Sequence, residues 1–357
     1  MIVKFNPDLF TSEDANIQSK TSRIILEILE DKFLWDIDNL DELFLSEDEN
    51  NFFKIPFSEK WISPGDKEEL LNKIKEIYSI STYITPAHHH YLTTIKIGIK
   101  NDEIHPSEAY RIINERSLII LENYPNDWKF IRGIIDKYEH FGKRKSIYQL
   151  IKKALDNHYL IYDHAGGSGI QKQIQGWVEG IYQNMYQYKL MAIFDSDRKH
   201  PNDFKNDYKN LIEYIKNRSI NSPPSKNDII YENTDIIVWH MLSKRAIENY
   251  VPLSVIKKSI TNLNNEQISN LDRLDNTPEI MDFIVYYKPT PLANDYYISI
   301  GKDKVKDQFP EMFLTPFLVS ELENRCNHHQ VSIELPNGTT EKVSEIEQIL
   351  LKIAKIV

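Results

Sequence analysis

Cysteine is nearly absent: Cys326 stands alone among 357 residues. An intrachain disulfide is therefore excluded, and a reducing, cytoplasmic setting is expected. Long apolar runs are missing as well. No stretch approaches the ~18 uninterrupted apolar residues of a membrane-spanning helix, so no membrane partner is expected. The N-terminus, MIVKFNPDLFTSEDAN, has no basic segment leading into an apolar core, and no signal peptide is expected. Basic excess is also lacking. A formal net charge of −10 argues against a surface coated in positive charge for non-specific nucleic-acid binding, although a local basic groove remains compatible with it. Finally, no G-x-x-x-x-G-K-[ST] phosphate loop occurs, so the sequence holds no P-loop ATPase motif.

What is present suits a folded protein. Apolar residues make up 41% and charged residues 27%, enough for a real interior under an ordinary charged surface, and the length suits two or three domains. Residues 1–106 read as an α+β region. SRIILEILEDKFLW and SPGDKEELLNKIKEIY carry helical apolar spacing, HHHYLTTIKIGIK reads as a strand, and DIDNLDELFLSEDENN reads as a solvated face and loop. From residue 107 to 252 the pattern alternates: SLIILEN, YLIYDHAGGSG, KLMAIFDSD and TDIIVWHML are short apolar strands separated by amphipathic helices. Strands that are apolar throughout and alternate with helices imply a parallel sheet covered on both faces. Residues 253–357 read as a mostly helical region that completes or flanks this domain, with a candidate strand at EIMDFIVYYK.

In such sheets ligands bind outside the carboxyl ends of the strands. Those ends hold Glu122, Asp163, and the pair Asp195 and Asp197. Clustered carboxylates repel one another unless a cation joins them, and hard oxygen ligands suit Mg²⁺ or Mn²⁺. The D-x-D spacing fits because residues i and i+2 of a strand point the same way.

The order of these motifs resembles the Toprim domain of topoisomerases, primases and OLD-type nucleases. The matching pieces are Glu122 in LIILEN, Gly166 and Gly167 in HAGGSG, and Asp195 and Asp197 in IFDSD; LSKRAIENYVP resembles the segment after the fourth strand in OLD-like, phage-defence members. The resemblance spans residues 117–252 and implies a metal-dependent phosphodiester hydrolase. It implies Glu122, Asp127, Asp195, Asp197 and Glu248 as metal ligands, with Glu122, Asp195, Asp197 and Lys244 catalytic. Arg245 and a lysine such as Lys302 or Lys304 would face phosphate. It also implies a DNA or RNA substrate, an anti-phage defence role, and an ATPase supplied by a separate partner. Two departures stand out: Asn123 follows the glutamate, and RKHP follows D-x-D, where the family often has glycine. A degenerate module that binds nucleic acid or a partner ATPase stays open, as does a haloacid-dehalogenase-like phosphatase, against which the upstream Glu122 strand counts. A homo-oligomeric state stays open too.

Other motifs have plainer readings. Asp163 suits a turn that caps the next helix at least as well as a ligand. HAGGSG suits a tight turn first and a phosphate contact at Gly166 and Gly167 second. Lys143, Arg144, Lys145, Lys152 and Lys153, with Tyr148 among them, form either a solvated helix face or a phosphate-backbone track. HHH at 88–90 and CNHH at 326–329 lack an acidic or cysteine partner at metal-site spacing, so surface or interface clusters are expected.

Overall fold

The computed structural model describes residues 1–44, 61–79, 90–166, 169–179, 183–221, 224–291, 294–296, 298–335 and 338–357. The chain divides into two compact units, Met1–Ser117 with Ala354–Val357, and Leu118–Ile353.

In the first unit, β1 (Ile2–Phe5) is followed by α1 (Ala15–Leu26), β2 (Leu34–Trp35), α2 (Ile37–Phe44), α3 (Pro64–Ser79), β3 (Thr94–Ile97) and α4 (Pro106–Asn114). The strands form a parallel sheet in the order β2-β1-β3. Phe5, Trp35 and Phe44 pack in its core, Phe5 tilted against Trp35 and Trp35 edge-to-face with Phe44, at ring-centroid distances of 4.7 and 4.9 Å. The buried Asn39 side chain bonds both backbone groups of Phe5, accepting from its N–H at 2.7 Å and donating to its carbonyl at 2.9 Å. The stretch read as an acidic loop is thus helical over Ile37–Phe44, because Leu40, Leu43 and Phe44 give it a buried face; residues 45–50 lie outside the described residues. Helix α4, expected to open the second region, belongs to the first unit. His88 and His89 also lie outside the described residues, while His90 is in a short helical turn before β3.

The second unit carries the larger sheet. Its elements are β4 (Ser117–Leu121), α5 (Asn126–Tyr138), α6 (Lys145–Asp156), β5 (Leu160–His164), α7 (Ile170–Val178), α8 (Gln183–Lys189), β6 (Leu190–Phe194), α9 (Asn206–Lys216) and β7 (Val238–Met241). There follow α10 (Leu253–Ser259), α11 (Asn265–Asp275), α12 (Pro278–Met281), α13 (Phe309–Met312), α14 (Val319–Cys326), β8 (Val331–Glu334), β9 (Thr340–Val343) and α15 (Glu345–Ala354). The strand order is β5-β4-β6-β7, and β4, β6 and β7 pair in parallel. Every residue of β4, β6 and β7 is buried, as strands covered on both faces require. The α/β class and the helix-flanked parallel sheet are as expected. The C-terminal region differs in two respects. EIMDFIVYYK is not a strand: Pro278 at the first helical position starts α12 there instead. An antiparallel hairpin, β8–β9, interrupts the helices.

Register positions the acids. Leu121 of β4 lies opposite Ile193 of β6, so Glu122 leaves the sheet beside the residues that lead into Asp195. Phe194 lies opposite Met241 of β7. Beyond the paired strands the two loops stay zipped: Leu242 N–H donates to Phe194 O at 3.0 Å, and Asp197 N–H to Arg245 O at 2.9 Å. Ser196 Oγ donates to Lys244 O at 2.8 Å.

Candidate metal centre

Five carboxylates, Glu122, Asp127, Asp195, Asp197 and Glu248, lie along this edge and sense one another's charge, although no three of them bring ligand atoms within 4.8 Å of one another. The backbone N–H of Asp195 donates to Glu122 Oε2 at 3.3 Å. Tyr208, reaching from α9, donates its hydroxyl to the same carboxylate at 3.3 Å. Asp127 sits in the first turn of α5 and accepts the Asn123 N–H at 2.8 Å, which folds the Glu122–Asp127 loop back on itself. Glu248 lies in the short helical turn Ile247–Tyr250 after β7 and is buried.

The electrostatics bind these groups into one cluster. Burial raises the Glu122 carboxyl above its ordinary pKa, and the Asp197 charge adds to it. Burial pushes Asp127 up to about 7, with the Glu248 and Glu122 charges adding. Asp195 is raised well above the carboxylate range by burial first, then by Asp127, Glu248 and Glu122. Among the described residues, no hydrogen-bond donor or ion-pair partner reaches the Asp195 side chain. A carboxylate that feels three others, with no protein donor on its own oxygens, is a group a hard divalent cation would favour.

Three cations border the acids. Lys306, in a π-helical turn over Lys304–Gln308, pairs with Glu248 at 2.8 Å, and the Asp195 charge also favours its ammonium. Lys205 pairs with Asp197, and Arg245 Nη2 stands 3.8 Å from Asp197 Oδ1. Beside Lys205 opens a cleft of about 260 Å³ lined by Glu122, Gln171, Asp197, Lys205, Tyr208 and Asn210, among others. A smaller cleft on the other side of Asp197 is lined by Arg245, Glu248, Tyr287 and Lys306, among others.

The structure thus brings together Glu122, Asp127, Asp195, Asp197, Glu248 and Arg245. Lys244 goes elsewhere. It is fully buried and donates to Asp282 Oδ1 at 2.6 Å, with burial and Arg325 lowering its pKa, so no substrate phosphate can reach its ammonium as placed. Lys302 is exposed; Lys306, four residues on, is the lysine at the acids. The basic stretch before α6 is largely neutralised. Lys143 and Arg144 pair with Glu341, Arg144 also pairs with Glu347 at 2.8 Å, and Lys145 is exposed. Lys152 pairs with Asp136 and Asp156. Gly166 adopts φ +51, and its carbonyl accepts the Gly169 N–H at 2.8 Å; Gly167 lies outside the described residues. Asp163 accepts from Trp177 Nε1 of α7 at 3.1 Å and from Gln173, tying strand to helix.

The D-x-D pair is not arranged by strand pleating. β6 stops at Phe194, before either acid, and Asp197 takes a left-handed conformation at φ +54. Its direction comes from the turn and from its bond to Arg245 O. Sequence reasoning passed over Lys205, Tyr208 and Lys306. The only available signal was the placement of Lys205 and Tyr208 on the helix that follows the D-x-D loop.

A second group was also missed. Asp282, His328 and His329 bring one ligand atom each to within 4.8 Å of one another, the one such trio of His, Cys, Asp or Glu among the described residues. The CNHH histidines, partly exposed as expected, thus do have an acidic partner. Their acidic partner lies 46 and 47 residues upstream, too far for any local spacing rule.

No protein-family model matches this chain, and neither the curated proteins nor the solved structures give a significant match.

Proposed function

We propose that the chain is a metal-dependent phosphodiester hydrolase, a nuclease acting on DNA or RNA with Mg²⁺ or Mn²⁺. The observation that carries this reading is the convergence of Glu122, Asp127, Asp195, Asp197 and Glu248 at the carboxyl edge of the parallel sheet, with the Asp195 carboxylate lacking a donor. Carboxylate oxygens are the ligands hard cations take, and the resemblance to Toprim nucleases names the same five residues; no three of them stand within 4.8 Å as placed, so a cation would have to draw them together. A bound cation would offset their mutual repulsion and supply Lewis-acid polarisation of a phosphoryl oxygen.

The protein's own groups have definite parts in this reading. Glu122, Asp127, Asp195 and Glu248 would hold the cation, and Tyr208 and the Asp195 N–H fix the Glu122 carboxylate. Lys205 and Arg245, both at Asp197, would present positive charge to a phosphate from the two clefts that flank Asp197. Lys306, paired with Glu248 at the edge of the acids, would stabilise charge that grows on the phosphoryl oxygens. The defence setting and a separate partner ATPase rest on the family resemblance alone.

One observation favours a second reading. Lys205, Arg245 and Lys306 already offset part of the acidic charge, as they would in a module that binds nucleic acid without cutting it. Incubating the chain with single- and double-stranded DNA and RNA, with each cation, separates the two. Glu122→Gln and Asp195→Asn should each lower cleavage at least about 100-fold, since even outer-shell changes around a metal cost 10–100-fold. Cleavage unchanged in both folded variants would remove these residues from the site. No cleavage by the parent chain on any substrate would favour the binding module.

A further inference from the structure

The Asp282 trio lies behind the acidic edge. Asp282 caps the end of α12 and is buried; its backbone carbonyl accepts the Arg245 N–H at 2.8 Å. Asn249 Nδ2 steadies the segment by donating to Met281 O at 2.9 Å and Ile284 O at 3.0 Å. The two carboxylate oxygens of Asp282 face different chemistry. Oδ1 is clamped by Lys244 at 2.6 Å and by Arg325 at 2.9 Å. Oδ2 faces the Nε2 atoms of both His328 and His329, the latter at 2.6 Å.

We propose that Asp282 Oδ2, His328 Nε2 and His329 Nε2 bind one Zn²⁺ ion. Two imidazoles and one carboxylate oxygen form a ligand set that borderline, nitrogen-preferring ions use. The Lys244 hydrogen bond to Oδ1, with Arg325 beside it as an ion-pair partner, corresponds to the outer contacts that orient a ligating carboxylate. The histidine side chains are 31% and 24% exposed, which leaves a solvent side for a water to complete a tetrahedron. The charges select the ion. Lys244 and Arg325 already neutralise Asp282, so a hard cation that depends on several anionic oxygens gains little here. The ion would join α12, the turn after α14 and, through the Asp282 carbonyl, the Arg245 segment of the acidic edge.

The rival arrangement is an ion-free hub in which both imidazoles donate protons to Oδ2. Full-length chain is stripped with EDTA, reloaded with Zn²⁺ alone, desalted and assayed for bound metal. The carrier is the Glu122→Gln/Asp195→Asn variant, which keeps binding at the acidic edge from being counted. About one Zn²⁺ per chain is expected, falling at least tenfold in affinity when His328→Gln or His329→Gln is added. Glutamine still donates to Asp282, so the hub and the fold survive these changes. Zn²⁺ uptake by the chain with both histidines no greater than by the double glutamine variant would overturn the proposal. Co²⁺ substitution gives an independent reading on the unmutated pair: a visible spectrum of tetrahedral nitrogen and oxygen ligation supports the site, and its absence overturns it.

Discussion

Asp195 donates its backbone N–H to the Glu122 carboxylate across 3.3 Å, while its own carboxylate receives no donor from the described residues. The main chain of one acid thus secures the side chain of the other. The arrangement orders the edge and leaves Asp195 with charge to share.

That imbalance has a stability consequence. In chelator, Asp195→Asn should raise the melting temperature by about 3 °C, the shift expected for roughly 1 kcal/mol of relieved repulsion in a unit of this size. Adding Mn²⁺ should raise the melting temperature of the parent chain and leave that of Asp195→Asn nearly unchanged. Calorimetry with and without Mn²⁺ checks both. A variant less stable than its parent in chelator would mean that Asp195 is held by interactions rather than strained by them.

Lys306 gives a prediction of opposite sign for two measurements. Lys306→Gln removes a positive charge 2.8 Å from Glu248. Cation binding should tighten, while the cleavage rate should fall on the order of 100-fold if the ammonium meets the reacting phosphate. Cation titration and single-turnover kinetics separate these. Tighter binding with an unchanged rate would assign Lys306 to charge balance only.

A pH effect comes from behind the sheet. His240, buried on β7, lies 3.0 Å from Glu345 and 2.9 Å from Lys352. Burial and the Lys352 charge lower its pKa from 6.5 to about 4. The unfolded chain therefore binds a proton that the folded chain refuses between those values. Its stability contribution is complete above about pH 6.5 and is lost as pH falls toward 4. The loss amounts to about 3 kcal/mol. Urea denaturation across this range should show a smaller acid loss for His240→Gln than for the parent.

Packing on α5 supplies a test independent of function. A Cβ at Gly133 would stand 2.6 Å from the Phe313 carbonyl oxygen and 2.7 Å from the Phe313 side chain. Alanine is the better helix former by about 1 kcal/mol, yet this contact should dominate. Gly133→Ala should destabilise the chain by about 1–3 kcal/mol, as other overpacked positions do.

Much of the sheet was legible because fully apolar strands and amphipathic helices announce themselves by period. LIILEN and MAIFDSD end where their apolar runs end, and that placed Glu122 and Asp195 correctly at the carboxyl edge. Side-chain direction was less legible. Lys244 follows a strand as Arg245 does, yet one turns into the interior toward Asp282 and the other toward Asp197. Nothing local distinguishes them, since the deciding carboxylates come from other elements. The same limit hid the Asp282 trio, whose members meet only through tertiary packing. The short strand β2 and the hairpin β8–β9 escaped for another reason: their apolar periods are too brief to stand out.

Position 197 shows fold and chemistry in competition. Its φ of +54 belongs to a region that glycine enters freely and most L-residues enter at a cost of roughly 1–2 kcal/mol, aspartate and asparagine somewhat less. A glycine here would relax the turn and erase the carboxylate that faces Arg245 and Lys205. The two acids of the D-x-D motif therefore resist change on different grounds. Asp195 is costly to keep because of its charge, and Asp197 because of its backbone. A search for more stable variants would be drawn to both positions and would remove the centre in the process.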